Sequence, residues 1–549
     1  MPSPQPTSEA TLRGARIVSP AITSGAGQYL AGQQAQANYD NVAAARYYKS
    51  ALFLDSGNVD LARRTWYHML VSGQDKEAAV IARMALEGDS HAAVAAFVVA
   101  ADFVAKNEWD KARAALKPLK KKGLNAFAVP LAQAWIWAGL GKPKKALRTL
   151  APMRRKKQLR PLHDFHAGLI WEVSGQPEKA WTWYKHIAQA PSLSLRAVEV
   201  LAHHLRRVGK PQQALDLFER YRQQSHESLL VDVAERAYQQ NASSSRPVLS
   251  AQDGLAEAFH GIASSVAQGH AWDATLVFSR LALFVRPDFP YAHMMVGETF
   301  FEQEKWAESI QALGAVPQGS PLSWPAYLKM AEALEHSEKH DAARQTLKKL
   351  IQSYPKNGEA HMVMGDLERR QENWPAAIAA YQQALHATEL AEKASWPIHY
   401  SLGVALERNG QWAAAEEHLL KALKQKPNHP MILNYLGYSW IDRGINLERG
   451  KELIAQAVSQ RPEDGFIVDS LGWALFLLGN YSEAVSHLER AVELEPSDPT
   501  INEHLGDAYW QAGRQREARF QWNKALSFDP DLPMREKIED KLEFGLETH

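Results

Sequence analysis

The sequence predicts an all-α protein of the α-solenoid class, and a fixed spacing of small residues is the main basis for this prediction. Alanine recurs every 34 residues in the N-terminal half, as Ala44, Ala78, Ala112, Ala146, Ala180 and Ala214. Five of the six residues that precede these alanines by twelve positions are glycine or alanine, and the sixth is Trp66. A period of this length is typical of arrays of helical hairpins.

The spacing of apolar residues within each period predicts helices rather than strands. Leu471, Leu475 and Leu478 follow steps of four and three residues, which place them on one face of a helix. Gly141 and Gly175 each lie five residues before an alanine of the first column, where a chain that leaves one helix would turn. Each unit is therefore predicted to be two antiparallel helices.

The C-terminal half repeats this pattern with more of its features. Its small-residue column consists of Ala263, Gly297, Ala331, Gly365, Gly403, Gly437, Gly472 and Gly506. An aromatic residue begins the second half of five units, and proline closes seven of the eight because it cannot continue a helix interior. The small residue would allow close approach of the paired helices, while the aromatic residue would fill the wedge between neighbouring units.

These columns resemble the tetratricopeptide repeat. The last two units carry the pattern most fully, with Leu471, Gly472, Leu475, Gly479, Tyr481, Ala484, Leu488, Ala491 and Pro496, then Leu505, Gly506, Tyr509, Gly513, Ala518, Trp522, Ala525 and Pro530. The resemblance implies a right-handed superhelix of about fourteen helix-turn-helix units in two arrays, whose cores lie between adjacent units.

We predict five segments along the chain. Residues 1–18, rich in proline, serine and threonine, are expected to be a disordered leader. A basic, degenerate array of about six units spans 19–224, and an acidic array of about eight units spans 252–532. Residues 225–251 are interpreted as a degenerate unit with a surface loop, and the alternative is a hinge between two superhelical blocks. Residues 533–549 are expected to form a capping helix and tail.

The formal net charge is zero, but the two halves differ in charge. Residues 1–250 contain 34 lysines and arginines against 20 acidic residues, whereas residues 251–549 contain 28 against 42. Much of the positive excess lies in 111–160, which holds no aspartate or glutamate. The opposite charges would allow self-association of the chain through its two halves.

The motifs expected of an enzyme are missing from the sequence. There is no cysteine, which excludes disulfides and thiolate sites, and there is no phosphate-binding loop, no HExxH and no GxSxG. Neighbouring carboxylates such as Glu416 and Glu417 have no base or nucleophile beside them and are interpreted as solvated charges. We therefore expect no catalytic residues, no cofactor and no metal site.

The sequence also bears on location. No stretch is long and apolar enough for a transmembrane helix, and Met1 to Gly27 has no apolar signal core. We expect a cytoplasmic protein from the sequence as given, or a periplasmic one if an export signal has been removed. The order of a degenerate array before a cleaner one is also similar to bacterial multi-repeat adaptor lipoproteins, which deliver substrates to a periplasmic carboxy-terminal processing protease. Those proteins carry a lipid-anchored cysteine, which this sequence lacks.

The resemblance implies a protein–protein interaction scaffold or adaptor, because the first helix of each unit would line a concave groove. Its aromatic residues would supply contact area, and asparagine or arginine would fix the orientation of a bound segment. The positions predicted to face this groove in the C-terminal array are Tyr400, Arg408, Asn434, Tyr438, Phe466, Trp473, Phe476 and Trp510. For Trp473 and Phe476, packing on the next unit is an equal alternative.

The basic stretch 111–160 supports an alternative function, binding of a polyanion such as RNA or an anionic membrane surface. Its candidate residues are Lys120, Lys121, Lys122, Arg154, Arg155, Lys156 and Lys157. The aromatic residues inside the stretch fit the repeat core rather than a base-stacking surface. A solvated basic face is therefore the favoured interpretation, and we expect proteins rather than nucleic acid as partners.

Overall fold

The structure is a computed structural model. It describes residues 24–89, 92–224, 228–240, 247–355, 357–389 and 395–546. These ranges form thirty α-helices, one short 3₁₀ helix and no strand, which confirms the predicted all-α solenoid. The number of units and the handedness of the superhelix stay predictions, and the predicted leader at 1–18 lies outside the described residues.

The chain divides into two compact units, which we call unit 1 (Met1–Lys339) and unit 2 (His340–His549). The segment 225–251 lies within unit 1, and the structure describes its residues 228–240 and 247–251. Its role as a loop or a hinge stays a prediction.

Unit 1 contains the first eighteen helices. They are α1 (Gly25–Ala37), α2 (Asn41–Leu54), α3 (Val59–Val71), α4 (Asp75–Gly88), α5 (Ala93–Ala105), α6 (Trp109–Leu116), α7 (Asn125–Gly139), α8 (Pro143–Arg154), α9 (Arg160–Val173), α10 (Pro177–Ala188), α11 (Leu195–Arg207), α12 (Pro211–Gln224), α13 (Ser228–Gln240), α14 (Ala251–Ala267), α15 (Trp272–Val285), α16 (Pro290–Glu302), α17 (Trp306–Gly314) and α18 (Ser323–His336). The 3₁₀ helix, Lys157–Leu159, connects α8 to α9.

Unit 2 contains the remaining twelve. They are α19 (His340–Ser353), α20 (Gly358–Arg370), α21 (Trp374–Glu389), α22 (Trp396–Arg408), α23 (Trp412–Gln425), α24 (Pro430–Asp442), α25 (Leu447–Gln460), α26 (Gly465–Leu477), α27 (Tyr481–Leu494), α28 (Pro499–Gln511), α29 (Gln515–Ser527) and α30 (Leu532–Phe544). We call the first helix of a hairpin its A helix and the second its B helix.

Pairs of one small and one large residue, sixteen positions apart, pack most A helices against their B helices. A Cβ atom on Gly32 would lie 2.8 Å from the ring of Tyr48, and one on Gly403 would lie 2.8 Å from Cγ of Leu419. Trp66 departs from the small-residue column because its partner position is the buried Ala82, so this pair also keeps one large and one small member. The six alanines spaced by 34 residues are all fully buried.

Helices α14 and α15 cover part of the inner face of the first array. Helix α14 packs against α7 and α9, and α15 packs against α3 and α5. The ring of Phe97 on α5 lies 6.1 Å from that of Phe259 on α14 and 5.7 Å from that of Phe278 on α15. Gly254 lies so close to Trp135 of α7 that a Cβ atom would overlap the indole. The first array therefore uses this A-helix face for its own core.

A buried polar network joins α14 to α11 and α16. Arg196 on α11 forms ion pairs with Glu199, at 3.0 Å, and with Glu257 on α14. The hydroxyl of Tyr291 on α16 donates to Glu199 at 2.9 Å. Burial opposes ionisation of Glu257, but the guanidinium of Arg196 outweighs it and holds the pKa of Glu257 below its ordinary value. The network fixes α11, α14 and α16 to one another inside unit 1.

Unit 2 contains five consecutive hairpins, α20–α21 to α28–α29, followed by α30. Helix α30 packs on α29, and its Ile538 is fully buried. The ammonium of Lys541 donates to Glu503 and to Asp507, at 2.8 Å, on α28. Helix α30 therefore covers the apolar end of the last hairpin and pairs two acidic residues of its A helix.

Candidate interaction surface

The predicted groove residues all lie on A helices of unit 2. Tyr400 and Arg408 are on α22, Asn434 and Tyr438 on α24, Phe466, Trp473 and Phe476 on α26, and Trp510 on α28. The structure brings some of these side chains together and separates others.

Trp473 and Phe476 belong to an aromatic stack. Their ring centroids lie 4.8 Å apart, and the indole of Trp473 stacks on the imidazole of His504, from α28, at 4.0 Å. His504 Nδ1 lies 2.9 Å from Oδ1 of Asp469. Burial opposes protonation of His504, but the Asp469 carboxylate outweighs it and raises the pKa of His504 above its ordinary value. Trp473 therefore packs on the next hairpin, α28–α29, yet the rings of Trp473 and Phe476 both stay half-buried.

Tyr438 lies one hairpin earlier in a charged environment. Burial, with the carboxylates of Asp442 and Asp469, raises the pKa of Tyr438 to about 12. The side-chain oxygen Oδ1 of Asn434, one turn before Tyr438, is buried and has no hydrogen-bond partner among the described residues. An unsatisfied buried amide oxygen costs on the order of 1–3 kcal/mol.

Tyr400 contacts a second tyrosine that the sequence did not single out. Its ring lies 5.9 Å from that of Tyr435 on α24. The hydroxyl of Tyr435 donates to Glu407 at 3.1 Å, and Glu407 also pairs with Arg443. Arg408, at the end of α22, is exposed and lies 3.8 Å from Glu407. The α22–α24 part of the surface is therefore both aromatic and charged.

Two predicted residues lie at the margins of this arrangement. Trp510 packs on Trp522 at 5.3 Å and against Gly545, which follows α30. Phe466, at the start of α26, is 56% exposed. Trp510 therefore stabilises the end of the array, while Phe466 stands apart from the stack.

Sequence reasoning missed His504, Asp469 and Tyr435. His504 and Asp469 lie 35 residues apart, one more than the 34-residue repeat, so they occupy positions offset by one residue on successive A helices. That spacing was available in the sequence, but a single histidine and a single aspartate in a surface-facing helix carry little signal on their own. We define the A-helix surface by the half-buried residues Asn434, Tyr435, Tyr438, Trp473 and Phe476, with Asp442 at its edge.

The predicted basic residues all lie in unit 1 and are exposed. They are Lys120, Lys121, Lys122, Arg154, Arg155, Lys156 and Lys157. The guanidinium of Arg154 lies 5.1 Å from the ring centroid of Trp183, on α10. Trp183 lies outside the stretch 111–160, so this aromatic contact was not visible from the stretch itself.

Among the described residues, no helix is both long and apolar enough to cross a membrane. In the same part of the chain, no three histidine or acidic side chains are grouped so as to hold a metal ion.

Comparison with known families identifies the repeats. Residues 328–395, 364–430 and 400–464 match the Tetratricopeptide repeat model, and residues 472–513 match the TPR repeat model. Residues 328–464 and 472–513 therefore carry tetratricopeptide repeats, as the sequence predicted.

Three proteins illustrate what the chain is similar to. A TPR repeat-containing protein of Pseudomonas aeruginosa is 27% identical over 208 residues, which span 36% of this chain and 33% of that protein. The general transcriptional corepressor ssn6 of Schizosaccharomyces pombe is 28% identical over 137 residues, which span 25% of this chain and 12% of the corepressor. A chain in the crystal structure of the APC/C hetero-tetramer Cut9–Hcn1 aligns with 96% of this chain over 97% of its own length, with 15% identity and a TM-score of 0.39.

Proposed function

We propose that the chain is an interaction scaffold or adaptor that binds a segment of a partner protein on the A-helix surface of unit 2. Tetratricopeptide repeat arrays are generally non-catalytic scaffolds, and we propose no reaction for this chain. The observations that carry the proposal are the half-buried aromatic rings of Tyr438, Trp473 and Phe476 on the A helices α24 and α26, and the unpartnered side-chain oxygen of Asn434.

The different use of A helices in the two units supports this assignment. In unit 1, the inner face of α5 and α7 is covered by α14 and α15. In unit 2, α24 and α26 pack on their own B helices and on neighbouring hairpins, and their aromatic rings keep part of their surface exposed. Rigid aromatic side chains that are preorganised by packing bind with little loss of conformational entropy.

The charges of this surface indicate the chemistry of the bound segment. Asp442 is exposed beside Tyr438, and residues 340–549 hold 31 acidic residues against 23 lysines and arginines. A suitable segment would present apolar side chains to the aromatic stack, a backbone N–H to Asn434 and a lysine or arginine to Asp442.

Site-specific photo-crosslinking tests the surface directly. A benzophenone amino acid in place of Tyr438 should form covalent adducts with a partner in a native lysate. The same group in place of Phe520, which is 70% exposed on the B helix α29, is the matched control. Equal adduct patterns from the two positions would contradict the proposed surface.

The polyanion alternative remains a separate prediction for unit 1. It requires that charge reversal at Lys120–Lys122 and Arg154–Lys157 abolish binding to RNA or anionic vesicles, because phosphate contacts depend on these cations. Undiminished binding after those substitutions would eliminate it. A protease adaptor role, implied by the resemblance to adaptor lipoproteins, would be seen as capture of a processing protease by the same full-length protein.

A further inference from the structure

A cleft on the B-helix side of unit 1 carries an inference that is independent of the proposed function. It has a volume of about 890 Å³ and lies between α8, the start of α9, and α10. Four arginines line it, Arg148, Arg154, Arg155 and Arg160. None of the lysines of the stretch 111–160 is among its lining residues.

The arginines are held in place but keep free charge. Arg160 donates through Nε to the carbonyl of Arg154 at 3.1 Å, and Arg154 lies over Trp183. Among the described residues, no carboxylate pairs with any of the four arginines. Each guanidinium has five N–H donors, so most donors around the cleft are available to a ligand.

The one carboxylate in the cleft does not neutralise them. Both oxygens of Asp164 are engaged, by Nδ1 of His163 at 2.7 Å and by Nδ1 of His186 at 3.1 Å. Asp164 is only 6% exposed. The cleft therefore keeps an excess of positive charge, with four guanidinium groups against one carboxylate.

The remaining lining of the cleft is apolar. Leu147 and Ala151 of α8 line it, together with Ile187 of α10 and Ala190, which follows α10. Arg154 lies over one face of the indole of Trp183, and the imidazole of His163 lies 5.2 Å from the indole in an edge geometry. An apolar floor with an arginine rim fits a ligand that has both apolar and acidic side chains.

We propose that this cleft binds an acidic peptide segment of a partner protein, with carboxylates on the arginine rim and an apolar side chain on the floor. Guanidinium groups bind carboxylates in a planar, bidentate manner that ammonium groups cannot reproduce. Charge complementarity favours an acidic peptide, and the apolar floor favours it over a phosphate backbone.

Fluorescence anisotropy of the full-length protein at low ionic strength tests this proposal. The probe is a fluorescein-labelled peptide of sequence Asp-Leu-Glu-Glu-Leu-Asp-Glu-Leu, and the neutral control replaces its acids by asparagine and glutamine. An oligouridylate of matched net charge and phosphatidylserine vesicles serve as phosphate-bearing probes. Far-UV circular dichroism checks that each variant stays folded.

The variants are matched in charge. Arg154→Glu with Arg155→Glu should weaken binding of the acidic peptide at least about tenfold, as expected for loss of charge-assisted hydrogen bonds. Lys120→Glu with Lys121→Glu, the same charge change on the same basic stretch, should change it less than about twofold, because exposed distant charges are screened. Arg154→Lys with Arg155→Lys should give an intermediate loss, because the charge stays and the bidentate geometry is lost.

Three results would overturn the proposal. They are failure of the acidic peptide to bind, equal loss from the arginine and the lysine pairs, and tighter arginine-dependent binding of the oligouridylate or the vesicles than of the peptide. The last result would assign the cleft to phosphate. None of these outcomes involves the A-helix surface of unit 2, so the two proposals fail separately.

Discussion

Gly168 and Tyr184 show how one pair of residues sets the distance between two helices. Gly168 lies on α9 against the fully buried ring of Tyr184 on α10, and a Cβ atom at position 168 would overlap that ring. Protein interiors are packed at the density of organic crystals, so the ring has no free volume into which it could move. The small-residue column is therefore a steric requirement of the hairpin.

The variant Gly168→Ala should destabilise the protein by about 1–3 kcal/mol, because overpacking outweighs the better helix propensity of alanine. Denaturant unfolding measures the change in the free energy of unfolding. Gly57→Ala, where no atom lies within 4 Å of the added Cβ, should stay within about 0.5 kcal/mol of the original protein. Equal stability of the two variants would contradict the packing role of the column.

Buried neutral histidines make unit 1 sensitive to acid. Burial lowers the pKa of His166 to about 4, and it lowers the pKa of His68 and His260 to about 4 as well. The unfolded chain binds these protons near pH 6.5, whereas the folded chain does not until about pH 4. The stabilisation is therefore complete above about pH 6.5 and is lost as the pH falls toward 4.

The variant His166→Gln should reduce this pH dependence. Glutamine can still accept the hydrogen bond that Trp135 Nε1 donates to His166 at 3.1 Å, but it does not titrate. Between pH 7 and pH 5 the loss of stability should be about 2 kcal/mol smaller in the variant, at about 1.4 kcal/mol per pH unit for each proton. Denaturant unfolding of both proteins at the two pH values measures this difference in the free energy of unfolding. An equal pH dependence in the two proteins would contradict the lowered pKa of His166.

At the scale of helices, the sequence predicted what depends on local spacing. The small-residue column and the apolar steps of three and four placed the A and B helices correctly because these patterns act within one 34-residue repeat. The packing of α14 and α15 against α3, α5, α7 and α9 was not predicted, because contacts such as Phe97 with Phe259 join residues far apart in the sequence. Nothing in one repeat encodes which distant helix will cover it.

The candidate surfaces divide in the same way. Tyr438 and Trp473 could be assigned to the A-helix face from their repeat positions, since each occupies a fixed place in its unit. The arginine cleft could not, because it depends on Trp183 and Ile187 of α10 lying beside Arg148 and Arg154 of α8. The sequence located the positive charge but not the apolar floor that gives it selectivity.

The network around Arg196 tests the docking of α14 on the first array. Arg196→Met should destabilise unit 1 by about 3–5 kcal/mol, because it leaves Glu257, which is 2% exposed, buried without its partner. Arg196→Met combined with Glu257→Gln should recover the part of this loss that comes from Glu257, because only Glu199 then keeps a buried carboxylate without its guanidinium partner. A double variant as unstable as the sum of its single variants would show that the two residues are not coupled.

At the scale of the whole molecule, the division of charge predicts weak self-association that depends on salt. Residues 1–250 carry an excess of cations and residues 251–549 an excess of anions, so attraction between copies is favoured at low ionic strength. Sedimentation velocity at about 50 mM and about 500 mM salt should show larger species only at the lower concentration. A single species with the same sedimentation coefficient at both would contradict this prediction.

The central claim is that the A-helix surface of unit 2 recognises partner proteins, and affinity capture with a surface variant tests it most directly. The full-length protein is compared with the variant Tyr438→Ala, Trp473→Ala and Phe476→Ala, and with the control Leu420→Ala and Phe520→Ala, which removes exposed side chains from B helices. All three proteins should remain helical by circular dichroism. The triple variant should lose specific partners that the control retains, and an unchanged set of partners on the folded triple variant would show that this surface does not bind them.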